Sequence, residues 1–512
     1  MSLMLILLVP LVGGVLCLTL ARDDASRARR IAHAALALDL LVLLWIWLQS
    51  GPLWFYEMRA PWIPHFGASL SLVVDGLSLL MLLLTVSLGM VAVAASRYDA
   101  PERPGLYYFA LLSMLAGIAG VFLAGDLLLF FVFYEVMLIP AYFLIALWGD
   151  PRMDRNTVAT RFFMFTQAGS LLMLLSILGI YFVHGAATND YTFAYGALLN
   201  TPMPLRVGLF LMLGFFIGFA VKLPVVPLHG WQPDTYATLP TGVGIVLSGL
   251  MAKAGAYGLL RFVVPLFPDA AHGFAPWAMS LAVVSILYGA FAAYSQRDLR
   301  RFIAYSGISH LGFVVLGAFS GNAWGYSGAV IQMLSHGLSA AGLFLLAALL
   351  ESRASTRDLS VLGGLWRSAP RLGGFGLILV LATLGLPGML SFVGEFLVLL
   401  GAFQVSPLHA TLAAIGTVFA TAYSLRIMQK IFFGPETVSG PVADLKGWPA
   451  VPALALSLAL VGFGLFPQPL LNLADSYGST LRATAAAPSA GSPVPMLATP
   501  TLRSRAPQGD AR

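Results

Sequence analysis

The stretch RVGLFLMLGFFIGFAVKLPVVPLHGWQPD, residues 206–234, decides how the rest of the chain is read. Its first half is an apolar run of the kind a bilayer core demands, where a helix needs about 20 residues to cross. Into that run the sequence sets Lys222, followed at once by Pro224 and Pro227. Proline lacks the N–H that a helix ladder requires, so the helix stops there. A charge at the bilayer centre costs upward of about 2.5 kcal/mol unless it has a partner, water or a function. The stretch therefore predicts a membrane helix over 206–229 that is broken beside an intramembrane lysine.

A second run carries the same device: Gly385-Leu386-Pro387-Gly388 interrupts residues 373–402. Apolar runs also cover 2–20, 31–49, 71–95, 105–124, 126–148, 160–183, 241–264, 274–294, 302–320, 326–350, 408–433 and 449–471. The 512 residues are 59% hydrophobic and only 10% charged, with a mean hydropathy of +0.86, which leaves too little polar surface for a soluble domain. The expected fold is an all-α integral membrane protein of about fourteen transmembrane helices, with helices 7 and 12 broken.

Basic residues test that count, since they accumulate in alternate loops when the spans are right. Arg22, Arg27, Arg29 and Arg30 fall in the first loop, Arg297, Arg300 and Arg301 in the ninth, and Arg353, Arg357, Arg367 and Arg371 in the eleventh. The even loops hold only Arg59, Arg206 and Arg261. Odd loops are thus expected in the cytoplasm and both termini on the other side. The net charge of +6 is spread over these loops as a topology signal, so no nucleic-acid partner is expected. Cys17 is the sole cysteine, which excludes a disulfide framework and Cys-based zinc or iron–sulfur sites. Residues 2–20 lack a basic n-region and are expected to stay as a helix.

If helices 4–8 and 9–13 are two five-helix units, both breaks fall in the fourth helix of their unit. An odd helix count forces the units into opposite orientations, as in inverted-repeat transporters. The expected division is 1–104 for three N-terminal helices, 105–264 and 265–433 for the repeats, and 434–471 for the last helix. A disordered tail over 472–512 completes it.

Four charges lie inside apolar runs: Glu135, Lys222, Lys253 and Glu395. A buried ion pair that only fixes helix packing is the plain reading of any one of them; four together point to a charge pathway. A desolvated lysine loses its proton, and a nearby glutamate reverses that. Glu135 and Lys222, each expected mid-membrane, form a candidate switchable pair, with Lys253 as relay and Glu395 as the far carboxyl. His310 and His336 sit in the tenth and eleventh runs and are candidate relays; a core role, or last a bis-histidine haem, are the other readings. Asp39 and Asp75 are second-rank candidates, expected near solvated helix ends.

The run Val221-Lys222-Leu223-Pro224-Val225-Val226-Pro227-Leu228-His229-Gly230-Trp231-Gln232-Pro233-Asp234 closely resembles the signature of the antiporter-like membrane subunits of NADH:quinone oxidoreductase, respiratory complex I. Lys253 to Phe262, Ala304 to Phe313 and His336 to Phe344 resemble the same family. Within it, Gly394-Glu395-Phe396, Thr356-Arg357-Asp358 and Gly363-Gly364-Leu365-Trp366 look like subunit M. The resemblance implies fourteen helices with inverted five-helix repeats, and proton pumping driven by quinone reduction elsewhere in the complex. It implies Glu135 and Lys222 as the input pair, Lys253 as central relay, His310 and His336 as connecting positions and Glu395 as the exit residue. One departure stands out: Tyr236 occupies a position where the family usually has histidine. With an unperturbed pKa of about 10, a tyrosine does not replace histidine as a proton carrier near neutral pH.

The resemblance further implies no metal and no cofactor in this chain, with NADH, FMN, iron–sulfur clusters and quinone in other subunits. Its partners would be the lipid bilayer and other membrane-arm subunits, sister antiporter-like chains included. The composition points to a bacterial inner membrane. The competing readings are a subunit of a multicomponent cation/proton antiporter and a purely structural membrane-arm subunit.

Overall fold

The computed structural model describes residues 2–49, 56–99, 101–436 and 442–474. Most of the expected tail therefore lies outside the described residues. Among the described residues, twelve helices are long and apolar enough to cross a membrane. A bent pair, Ala450–Leu465 and Gln468–Ala474, makes a thirteenth if it is one span, and two shorter apolar helices, Pro370–Thr383 and Leu390–Val405, flank the glycine turn of the expected twelfth run. Together these helices fall on the fourteen expected apolar runs, with the boundary shifts described below.

Besides that bent pair, three segments are interrupted, each for a local reason. The fifth divides into Leu127–Val136 and Leu138–Trp148, because Pro140 has no N–H to offer the carbonyl of Val136. The seventh helix, Leu205–Lys222, ends where Pro224 disfavours helical backbone at Leu223. In the twelfth the chain turns through Gly385 and Gly388 at φ of +71° and +95°, values only glycine adopts cheaply. The eighth segment, by contrast, continues to Leu266 through two π-helical turns, Leu247–Met251 and Leu259–Val263.

One expected boundary is corrected. Residues 71–74 are not helix but the end of a strand: β1, Tyr56–Ile63, pairs antiparallel with β2, Ala68–Val74. The alternation Ser69-Leu70-Ser71-Leu72 is a period-two signal, hidden because it runs straight into the apolar helix Gly76–Ala95. Asp75 separates the two by capping that helix through the Ser78 N–H, a standard N-cap contact.

Polar contacts sort the loops onto two faces. On one, Arg357 joins the eleventh loop to Asp150 in the fifth at 3.2 Å and to Asp298 in the ninth at 2.6 Å. Asp99 of the third loop accepts from the Thr241 and Gly242 N–H groups, and Asp234 of the seventh pairs with Arg161 and Arg301. On the other, Asp126 of the fourth loop accepts from Ser69 of β2 and bridges to Ala194 of the sixth. Odd and even loops therefore separate as the basic residues predicted.

The eighth and eleventh segments are wholly enclosed, 100% of their apolar windows being buried, whereas the first, second, sixth and thirteenth bury only 33–39%. Enclosed helices have no lipid to face. Lys253 and His336 lie on those two.

Candidate functional site

Lys253, at the start of Ala252–Gly258 just after a π-turn, is fully buried. Its Nζ donates to the Ser248 carbonyl at 2.6 Å and lies 2.6 Å from His336 Nδ1. That short contact requires His336 Nδ1 or the amine to be unprotonated, since an ammonium and an imidazolium have no acceptor between them. The other ring nitrogen, Nε2, faces Gly307, where an added Cβ would sit 3.1 Å away.

The His336 and His310 rings are 6.1 Å apart between centroids. His310 Nδ1 is 2.9 Å from Glu395 Oε1, and its Nε2 is 3.0 Å from Tyr423 Oη. With Nδ1–H donating to the carboxylate and Nε2 accepting from the phenol, a neutral His310 satisfies both. Both ring nitrogens are thereby engaged. Gln332 Nε2 donates to the same Glu395 oxygen at 3.1 Å. Glu395 Oε2 reaches the second break, 3.0 Å from where a Cβ on Gly385 would be. Lys253, His336, His310 and Glu395 thus form one line of buried groups ending at the broken twelfth segment.

The other predicted pair is looser. Glu135, expected mid-helix, occupies the last turn of Leu127–Val136, because the break induced by Pro140 falls just beyond it. Lys222 does not form an ion pair with it. Its Nζ donates to the Tyr134 carbonyl at 3.2 Å and sits 3.4 Å from the centre of the Tyr134 ring, a cation–π placement. Glu135 Oε1 is buried with no hydrogen-bond partner. Lys222 is thus held by Tyr134, the residue next to Glu135 in the chain.

Neither second-rank aspartate is solvated. Asp39 is 2% exposed in mid-helix, and Asp75 pairs with the Arg261 guanidinium in a buried contact. Arg261, counted above among loop residues, lies inside the eighth segment. Tyr236 is buried with its ring edge-on to Phe344 at 5.6 Å, a packing role. His229, at the end of the seventh run, packs on Tyr288 at 5.0 Å. Sequence reasoning passed over Gln332 and Tyr423, whose only signal is an uncharged polar group inside an apolar run.

Comparison with known proteins gives the family. Residues 124–421 match the family described as NADH:quinone oxidoreductase/Mrp antiporter, transmembrane. The chain is 46% identical to NADH-quinone oxidoreductase subunit M of Escherichia coli, over 92% of this chain and 96% of that protein. It is 45% identical to the subunit M of Pseudomonas aeruginosa, over 91% and 95%. A chain of respiratory complex I from Thermus thermophilus with bound NADH superposes with a TM-score of 0.85 at 34% identity, covering 94% of this chain and all (100%) of that one. A chain of the Mrp complex from a Dietzia species superposes at 0.84 with 23% identity, over 94% and 97%, a likeness of fold alone. The chain belongs to the NADH:quinone oxidoreductase/Mrp antiporter membrane-subunit family, in its NADH-quinone oxidoreductase subunit M branch.

Proposed function

We propose that the chain is a proton-translocating membrane subunit of an NADH:quinone oxidoreductase, without a redox centre or active site of its own. The observation that carries this reading is the line Lys253–His336–His310–Glu395, titratable groups with buried side chains between two broken helices. Glu135 and Lys222 load it: approach of the glutamate stabilises the ammonium form, and its withdrawal favours release of the proton towards Lys253. Breaks at the seventh and twelfth segments expose backbone groups that hold water. Glu395 passes the proton to the far side.

The breaks in the seventh and twelfth segments support division into inverted units 105–264 and 265–433. Loop charge supports a bacterial cytoplasmic membrane placement with both termini periplasmic. NADH, FMN, iron–sulfur clusters and quinone would belong to partner subunits, since a lone cysteine holds no cluster. The Mrp-like fold keeps a cation/proton antiporter as the second reading, and the 46% identity to subunit M favours the first.

The test is to tag the chain, solubilise membranes gently and assay NADH:acceptor reductase, which is expected to copurify. Recovery in a redox-silent assembly would shift the assignment to the antiporter. In the assembled complex, Lys222→Ala and Glu135→Ala are each expected to lower protons moved per electron; an unchanged ratio would refute the relay.

A further inference from the structure

Lys253, Tyr257 and Arg261 recur every four residues and so share one face of the eighth segment. All three are buried, with exposures of 0%, 1% and 4%. From Tyr257 a set of polar contacts leads away from the relay, towards the face of the even loops. Tyr257 Oη is 3.2 Å from Ser78 Oγ and donates to the Phe122 carbonyl at 3.3 Å. Ser78 donates its backbone N–H to Asp75 Oδ1 at 2.9 Å, and the other Asp75 oxygen pairs with the Arg261 guanidinium. Tyr195 closes the end: its hydroxyl donates to the Arg261 carbonyl at 2.8 Å, and its ring lies 5.2 Å from the guanidinium.

A pair that only locked two helices would need Asp75 and Arg261. It would not need two hydroxyls set between that pair and an intramembrane lysine, each able to take one proton and give another. We propose that Tyr257, Ser78 and Asp75 form a second proton outlet, from Lys253 through the third helix to the non-cytoplasmic side, closed in this structure by Arg261.

The inference rests on the relay reading and extends it to the N-terminal helices, which that reading leaves idle. Lys253 gives one proton to water in the single helical turn, about 5.4 Å, that separates it from Tyr257. The Tyr257 oxygen takes a proton as its own, turned from the Phe122 carbonyl, passes to Ser78 Oγ. Ser78, whose own N–H already holds Asp75 Oδ1, turns its hydroxyl to that carboxylate and gives it one. Arg261 remains charged throughout. Neutral Asp75 no longer holds the guanidinium, and the opened pair releases the proton to outside water. One proton leaves Lys253 and one appears outside.

The test measures protons moved per NADH oxidised in the reconstituted complex, with NADH:quinone activity as the check on assembly. Glu395→Gln is expected to keep part of the proton transfer that Lys253→Ala loses, and Glu395→Gln with Tyr257→Phe to fall to the Lys253→Ala level. The outlet is overturned if Glu395→Gln alone reaches that level, or if adding Tyr257→Phe changes nothing. Phenylalanine keeps the ring packing on Phe122 and Phe262; should that double variant fail to assemble, Ser78→Ala in the same background gives the same reading. A Lys253→Ala complex that pumps like the wild type would sink the relay itself and the outlet with it, an outcome distinct from failure of the outlet alone.

Discussion

Lys253 Nζ and His336 Nδ1 meet at 2.6 Å in a fully buried setting, and among the described residues no carboxylate pairs with that lysine. The contact joins the two enclosed helices, and it holds together only while one of its two nitrogens lacks a proton.

Removing the acceptor separates structure from transport. His336→Ala leaves a buried donor short of a partner, at a cost of about 1–3 kcal/mol, and is expected to lower both thermal stability in detergent and protons moved per NADH. His336→Gln restores an acceptor but cannot titrate. It is expected to recover stability without recovering transport, and recovery of both would mean the histidine is only a packing group.

Gly307 tests the other side of the same ring. A Cβ there would lie 3.1 Å from His336 Nε2, whereas nothing lies within 4 Å of one on Gly273. Gly307→Ala is expected to assemble but to slow proton transfer. Gly273→Ala, in the helix Pro268–Ser295, should leave transport intact and add up to about 1 kcal/mol of helix stability. Equal transport in both variants would show that His336 does not need its present position.

Gly385 is constrained twice: by a φ of +71° and by a Cβ position 3.0 Å from Glu395 Oε2. Alanine there costs about 1–2 kcal/mol in backbone strain and crowds the carboxylate. Gly434 shares only the first constraint, with φ +87° and no neighbour within 4 Å. Both alanine variants should melt earlier, but only Gly385→Ala should move fewer protons; matching transport defects would remove Glu395 from the explanation.

The odd-loop face offers a pH test. Burial alone raises the Asp150 carboxyl, yet hydrogen bonds from Arg152 and the charges of Arg357 and Arg152 outweigh it and hold the group below its usual 3.8. A depressed carboxyl stabilises the fold above its unfolded pKa, and that stability is lost as pH falls through the folded value. Arg357→Ala removes one of those charges and leaves Asp150 and Asp298 short of a partner. Acid melting in detergent is then expected to begin at a higher pH than in the wild type, with a loss of about 1–3 kcal/mol near neutrality. Arg161→Ala, at a half-exposed pair, should cost under about 1 kcal/mol, and parity of the two variants would deny the Arg357 network its role in joining the loops.

Sequence by itself determined the membrane class, the apolar runs, the two faces and which charges lie inside those runs. These follow from hydropathy, proline chemistry and the cost of burying charge, which act on a residue whatever surrounds it. The strand over 68–74 escaped because its alternating serines merge into an apolar helix. Only the tertiary structure decided who touches whom. It joined Lys253 to His336 across 83 residues of chain and His310 to Glu395 across 85, kept Glu135 off Lys222, and tied Asp75 to Arg261. Such pairings depend on how helices rotate and approach, and helix rotation is set by packing of whole faces, which no single residue in the sequence carries.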